Sequence, residues 1–201
     1  MTHGPTNLFT SLLRYCGEQK EHFVGEAFVL VLNSLLSSDR KIAVEILGDL
    51  CGTDTFGWHE SDDIVIRAQG YAGDAGTPDI TIGSRDKKVY VEVKVEAPVD
   101  GEQLHKYRRS LESFGVRQRQ LVLLTKLPAE LPPGLEKDVK KVYWHEVRQW
   151  LSKREAAVTD RISRYLLNSF AAFLTEGGIS MERVDGDYRM LKYALPSCAI
   201  L

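Results

Sequence analysis

Residues 77–95 read Thr-Pro-Asp-Ile-Thr-Ile-Gly-Ser-Arg-Asp-Lys-Lys-Val-Tyr-Val-Glu-Val-Lys-Val, and they constrain the fold more than any other stretch. The runs 80–82 and 89–95 are rich in β-branched residues, and Gly83-Ser84-Arg85-Asp86 between them supplies turn chemistry, so a hairpin is predicted. Side chains alternate along a strand. Val89, Val91, Val93 and Val95 therefore share one face, and Tyr90, Glu92 and Lys94 share the other. Asp79 opens the partner strand, and pairing brings it close to Glu92. Two carboxylates and an ammonium converging on adjacent strands suit a hard divalent cation and an activated water. Spacing alone would not single them out, because Glu18/Lys20, Asp39/Lys41, Asp86/Lys88 and Asp138/Lys140 repeat the acid-x-Lys pattern. Glu92 and Lys94 differ in lying within an apolar strand, across a turn from Pro78-Asp79.

Helical patterns flank the hairpin. Asn7 is a candidate N-cap for a short helix that ends near Cys16-Gly17. A longer helix over about 21–36 is apolar almost all round and so reads as buried. Glu26 lies inside it, and a buried carboxylate without a partner is costly. Glu26 either points into the acid site or serves the helix dipole, and Glu45 is its rival as a further site acid. Asp39 is placed to cap a helix over 40–50, and 64–67 reads as the first strand. The glycine-rich stretch 70–76 lacks the Gly-Lys-Ser/Thr ending of a phosphate-cradling loop and precedes a strand, so it reads as a mobile connection beside the site.

Beyond Val95, a helix over 102–114 turns Leu104, Tyr107, Leu111 and Phe114 inward, with Gln103 and Tyr107 neighbours at i and i+4. Lys106, Arg108 and Arg109, with His105 beside them and Arg117 and Arg119 just beyond, form the densest basic cluster in the chain. Phosphate contacts are expected there; the interleaved Glu102 and Glu112 leave a solvated helix face as the alternative. A continuous apolar strand over 120–125 reads as central in a covered sheet. A short strand over 141–144, a helix over 145–152 and a helical run over 159–175 stopped by Gly177-Gly178 complete the pattern.

The formal net charge is -2, so any nucleic-acid binding must use a local basic face or a metal-bridged phosphate. Cys16, Cys51 and Cys198 are scattered, which fits a reducing cytosol better than a disulfide framework or a zinc site. The N-terminus does not read as a signal peptide, and the longest apolar run, 27–32, is too short to span a bilayer. A cytoplasmic protein without membrane contact is the expectation.

Pro78-Asp79 followed by Glu92-Val93-Lys94 resembles the PD-(D/E)XK nuclease superfamily, and Gln103-x-x-x-Tyr107 just beyond resembles its RecB-type branch. The segment from Glu21 to Phe28 looks like the start of that superfamily's first core helix, which often carries a glutamate; this favours Glu26 at the site. The resemblance covers about 21–146 and implies a restriction-endonuclease-like α/β core. Its mixed central sheet has an antiparallel meander plus a parallel strand, with helices on both faces. It divides the chain into a nuclease-like domain over 1–153 and a C-terminal helical extension over 154–201, docked or beginning a further region. The implied activity is metal-dependent hydrolysis of phosphodiester bonds in nucleic acid, with DNA favoured. Asp79, Glu92, the Val93 main-chain carbonyl and Glu26 would surround Mg²⁺ or Mn²⁺. Lys94 would orient water or stabilise charge, and Gln103 and Tyr107 would hold the site and contact the nucleic acid. A homodimer, an additional domain or a partner protein is compatible with this reading. The alternative is a catalytically silent module of the same fold for nucleic-acid binding or protein interaction.

Overall fold

The structure, a computed structural model, describes residues 7–17, 19–52, 56–70 and 76–180. Among these residues one sheet of five strands runs in the order β1-β2-β3-β4-β5. The strands are β1 (Val65–Ala68), β2 (Ile80–Gly83), β3 (Lys87–Lys94), β4 (Gln118–Thr125) and β5 (Val139–Tyr143). The first three form an antiparallel meander, whereas β4 lies parallel to β3 and β5 parallel to β4. The hairpin stands in the predicted register: Ile82 opposes Val89 and Ile80 opposes Val91, with the Ser84 N–H donating to the Lys87 carbonyl at 3.0 Å to close the turn.

The helices are α1 (Leu8–Leu13), α2 (Lys20–Ser38), α3 (Arg40–Cys51), α4 (Gly101–Ser113), α5 (Trp144–Arg154) and α6 (Arg161–Glu176). They divide unequally between the sheet faces. On one face Val89, Val91, Val93, Ile80 and Ile82 join residues of α1, α2, α3, α5 and α6 in a single core. On the other, Tyr90, Leu121 and Leu123 pack beneath Leu104, Tyr107 and Leu111 of α4, with Leu135 from the connection between β4 and β5. Each such side chain contributes on the order of 1.5–3 kcal/mol when fully buried. The two parallel strands β4 and β5 are joined by 126–138, which contains Pro128, Pro132 and Pro133 and forms no helix. Its apolar residues cover the sheet beside α4 in place of a crossover helix.

Side-chain caps start α1 and α4. The Asn7 side chain accepts from the N–H groups of Phe9 and Thr10, and the Asp100 side chain accepts from those of Glu102 and Gln103. Asp39 corrects the expectation. It precedes α3, but its side chain does not cap that helix; it accepts instead from the Thr159 N–H and hydroxyl and the Asp160 N–H, at 2.8, 2.6 and 3.2 Å. These bonds, the Thr159 hydroxyl first, hold its carboxyl down at about 2. They also tie the α2–α3 corner to the start of α6. The described part of the C-terminal extension is docked: Leu167, Phe170, Phe173 and Leu174 of α6 enter the main core, and Phe170 stacks on Phe28 at 5.8 Å. Cys198 lies outside the described residues. No helix among the described residues is long and apolar enough to cross a membrane.

Candidate active site

The site begins with a missing donor. Ser84 and Lys87 form a hydrogen-bonded pair, and in an antiparallel ladder that pattern returns every second residue, at 82/89, 80/91 and then 78/93. Residue 78 is proline and has no N–H to give the Val93 carbonyl. The ladder therefore stops at Ile80. The Val93 N–H turns instead to Asp79, donating to Oδ2 at 2.8 Å. The same register places Asp79 beside Glu92 on the face covered by α4.

Glu92 is only 3% exposed. Its Oε1 lies 2.9 Å from Lys94 Nζ, while its Oε2 is buried, receives no N–H or hydroxyl donor among the described residues, and has the Asp79 carboxyl as its neighbour. Burial, and after it the charge of Asp79, push the Glu92 carboxyl up to about 7. Burial likewise raises Asp79, against the opposing pull of the Val93 N–H and the charges of Lys94 and His22. For Lys94, burial works against the charge but is outweighed by the hydrogen bond and charge of Glu92, with help from Glu21 and Asp79, so the ammonium is held above its ordinary pKa. Two carboxyls crowded together under one lysine have less positive charge beside them than full ionisation requires.

The first turn of α2 supplies the rest. Glu21 Oε1 accepts from three successive backbone N–H groups, Val95, Glu96 and Ala97, at 2.8, 3.2 and 3.0 Å. Its Oε2 stands 3.7 Å from Lys94 Nζ. Burial alone would raise the Glu21 carboxyl, yet these N–H groups and Lys94 hold it below the usual range. His22 Nε2 lies 3.8 Å from Asp79 Oδ1. A cleft of about 290 Å³, bordered by Lys20, Glu21, His22, Val95 and Glu96, opens here. From α4, Gln103 Nε2 donates to the Tyr107 hydroxyl at 2.7 Å, and Tyr107 meets Tyr90 edge-on at 5.9 Å. Burial, and next the charge of Glu92, raise the Tyr107 pKa, so its proton stays in place.

The hairpin pattern thus brings together Asp79, Glu92, Lys94, Val93, Gln103 and Tyr107. Glu26 is a correction. It is exposed, between buried Gly25 and Ala27, and points away from the acids. Glu21, five residues earlier, occupies the position expected of it. The sequence held the signal: Glu21 is in phase with Phe28, Leu32 and Leu35, all buried, whereas Glu26 is in phase with Leu30, Asn33 and Ser37, all exposed. Glu45, the rival, pairs with Arg154 at 3.0 Å. Arg108 is ion-paired: its guanidinium lies 3.1 Å from Glu112 and 3.0 Å from Asp138, which links α4 to the β4–β5 connection. Lys106 and Arg109 are exposed and have no ion pair among the described residues. The described start of the glycine-rich connection is packed: a Cβ at Gly70 would collide with the Thr81 side chain.

Among the described residues, no three His, Cys, Asp or Glu side chains form a ready metal cage. The donor set still fits Mg²⁺. That ion keeps several waters and takes one or two carboxylates rather than a full protein cage. Here two carboxylates and a backbone carbonyl denied its ladder donor meet where β2 begins and β3 ends, in the middle of the sheet. Comparison with family models, with curated proteins and with solved structures finds no match.

Proposed function

We propose that the protein is a metal-dependent nuclease that hydrolyses phosphodiester bonds, with DNA the favoured substrate, on a restriction-endonuclease-like core. The observation that carries this reading is the buried Glu92 carboxyl crowded against Asp79, its Oε2 without an N–H or hydroxyl donor among the described residues and Lys94 at 2.9 Å from the other oxygen. Asp79, Glu92 and the Val93 carbonyl would hold Mg²⁺ or Mn²⁺. Bound there, the ion supplies Lewis-acid polarisation of the phosphodiester and a water of lowered pKa.

The chain's own residues divide the remaining work. Lys94, held 2.9 Å from Glu92, serves as a hydrogen-bond donor that orients the attacking water or stabilises charge developing on phosphorus. Glu21 fixes the backbone of 95–97 directly after Lys94 and so aims the ammonium at the acids. Gln103 and Tyr107 wall the site from the α4 side.

Circular and linear labelled DNA test the reading, incubated with Mg²⁺, Mn²⁺ or EDTA. The native chain should cut only with metal, and Asp79→Ala should abolish cutting. Lys94→Ala should fold and bind DNA yet lose about 10²–10³-fold in turnover. A folded native chain that cuts neither substrate, or a Lys94→Ala variant that cuts at the native rate, contradicts the proposal.

A further inference from the structure

The sheet face that carries Glu92 is only partly covered. Helix α4 lies over β3 and β4, while on β1 Val65 is 45% exposed and Arg67 is exposed as well. Register places Arg67, Thr81 and Tyr90 in one cross-strand row and Val65, Gly83 and Lys88 in the next. All of these positions share the face of Glu92. Gly83 has no side chain, and the Lys88 stem crosses the space left open: a Cβ there would lie 3.6 Å from Lys88 Cδ and 3.9 Å from Nζ. The amine is thereby directed toward β1 and Arg67. It lies 5.4 Å from the Phe114 ring centre and 5.7 Å from that of Tyr90.

Some cations of the molecule are paired with acids, and others, Lys106 and Arg109 among them, are not paired among the described residues. Lys20, Lys87, Lys94, Arg108 and Arg154 each face an acid. Arg67 and Lys88 have no acid partner among the described residues, and they stand close enough to repel: burial and then the charge of Arg67 lower the Lys88 pKa. Two rings fix the lysine in this position, although cation–π contact offsets only part of the repulsion. Two neighbouring cations, an exposed Arg67 and a half-buried Lys88, are complementary to an anion with repeating charge. Lys88 and Glu92 are four residues apart on one face of β3, which is about 13 Å along the strand. An anion on the cations would therefore continue onto the acid pair.

We propose that Arg67 and Lys88 form a phosphate-binding platform that holds the nucleic-acid backbone a few nucleotides from the scissile bond. The proposal rests on the nuclease reading of the acid pair and moves the main phosphate contacts from α4 to the open β1–β3 surface.

Binding of a labelled DNA duplex and of its single strand, measured in EDTA across a salt series, tests the platform apart from the chemistry. Each neutralised phosphate contributes about 0.7–0.9 to the slope of log affinity against log salt. Arg67→Gln and Lys88→Gln should each reduce the slope by about that amount, and the double variant by about twice as much, while Lys153→Gln on α5 leaves it unchanged. Arg67 is exposed and has no hydrogen bond or ion pair among the described residues, so its variant should fold normally even if Lys88→Gln loosens the Tyr90–Phe114 packing. Unchanged slopes in a folded Arg67→Gln, or a native chain that does not bind DNA, overturn the platform. Metal-dependent cutting by the native chain, measured alongside, decides the nuclease reading separately: cutting with unchanged slopes leaves that reading intact and removes only the platform.

Discussion

Glu92 concentrates the electrostatic cost of the site in one side chain. A carboxyl that burial and Asp79 push from 4.5 up to about 7 keeps a proton in the folded chain that the unfolded chain has already released. Folded protein therefore binds more protons than unfolded protein between these two values. Stability falls as pH rises through that window and levels off above it. In EDTA, the native chain should melt lower above pH 7 than at about pH 5, relative to Glu92→Gln, which removes the titration. Each kcal/mol of difference corresponds to about 2–4 °C in Tm for a chain of this size. A Tm difference between the two proteins that is the same at both pH values contradicts the assignment. The two glutamates of α2 give a second residue-level contrast. Glu21→Ala leaves the N–H groups of 95–97 without their acceptor, a loss of about 1–3 kcal/mol, and should lower turnover with it. Glu26→Ala, on the exposed side, should stay within about 0.5 kcal/mol of native stability and cut at the native rate. Denaturant unfolding and single-turnover rates read both; a Glu26→Ala variant that loses activity would restore the placement that the periodicity of α2 argues against.

At the scale of the elements, close approach decides which substitutions the fold accepts. Gly25 lies on the buried side of α2, where a Cβ would meet Val93 and Ile80 at 3.8 and 3.9 Å, ordinary contact distances. Gly25→Ala should therefore stabilise the chain by about 0.5–1 kcal/mol through helix propensity. Gly70 is the opposite case: its Cβ would collide with Thr81, and Gly70→Ala should cost about 1–3 kcal/mol. Chemical denaturation of both variants measures the difference, and a destabilised Gly25→Ala would show that α2 packs more tightly on β3 than the distances indicate. The hairpin was legible in the sequence because period-two alternation and a four-residue turn leave one register that buries Val89, Val91 and Val93. Asp79, Glu92 and Lys94 followed from that register alone. Asp39 was misread because a helix-initiating position says nothing of where the side chain turns, and its partners at Thr159 and Asp160 are distant in sequence. The ion pair of Arg108 with Asp138 was hidden for a related reason, since Asp138 lies beyond β4, whereas Glu112 at i+4 on the same helix was in view.

Across the whole molecule, a heavy helical layer clamps one sheet face and leaves part of the other open. The buried side needs α6, whose Phe170 and Phe173 pack with Phe9, Phe28 and Trp144 around α2. The open side carries the acids, Lys94 and the unpaired cations. The amphipathic stripe of α6 announced a helix without showing where it docks, because docking depends on side chains from four separate segments. The antiparallel meander followed by a parallel strand could be anticipated from the order of elements. The parallel placement of β5 could not, because its connection has no helix to signal a crossover. The central claim is that this half-open sheet holds a divalent cation between Asp79 and Glu92. Calorimetric titration of the native chain with Mn²⁺ tests it most directly, beside Asp79→Asn and Glu92→Gln variants of verified fold. The account predicts saturable binding that either substitution abolishes and that releases protons near neutral pH as Glu92 gives up its own. Binding unaffected by both substitutions, or no binding to the folded native chain, contradicts it.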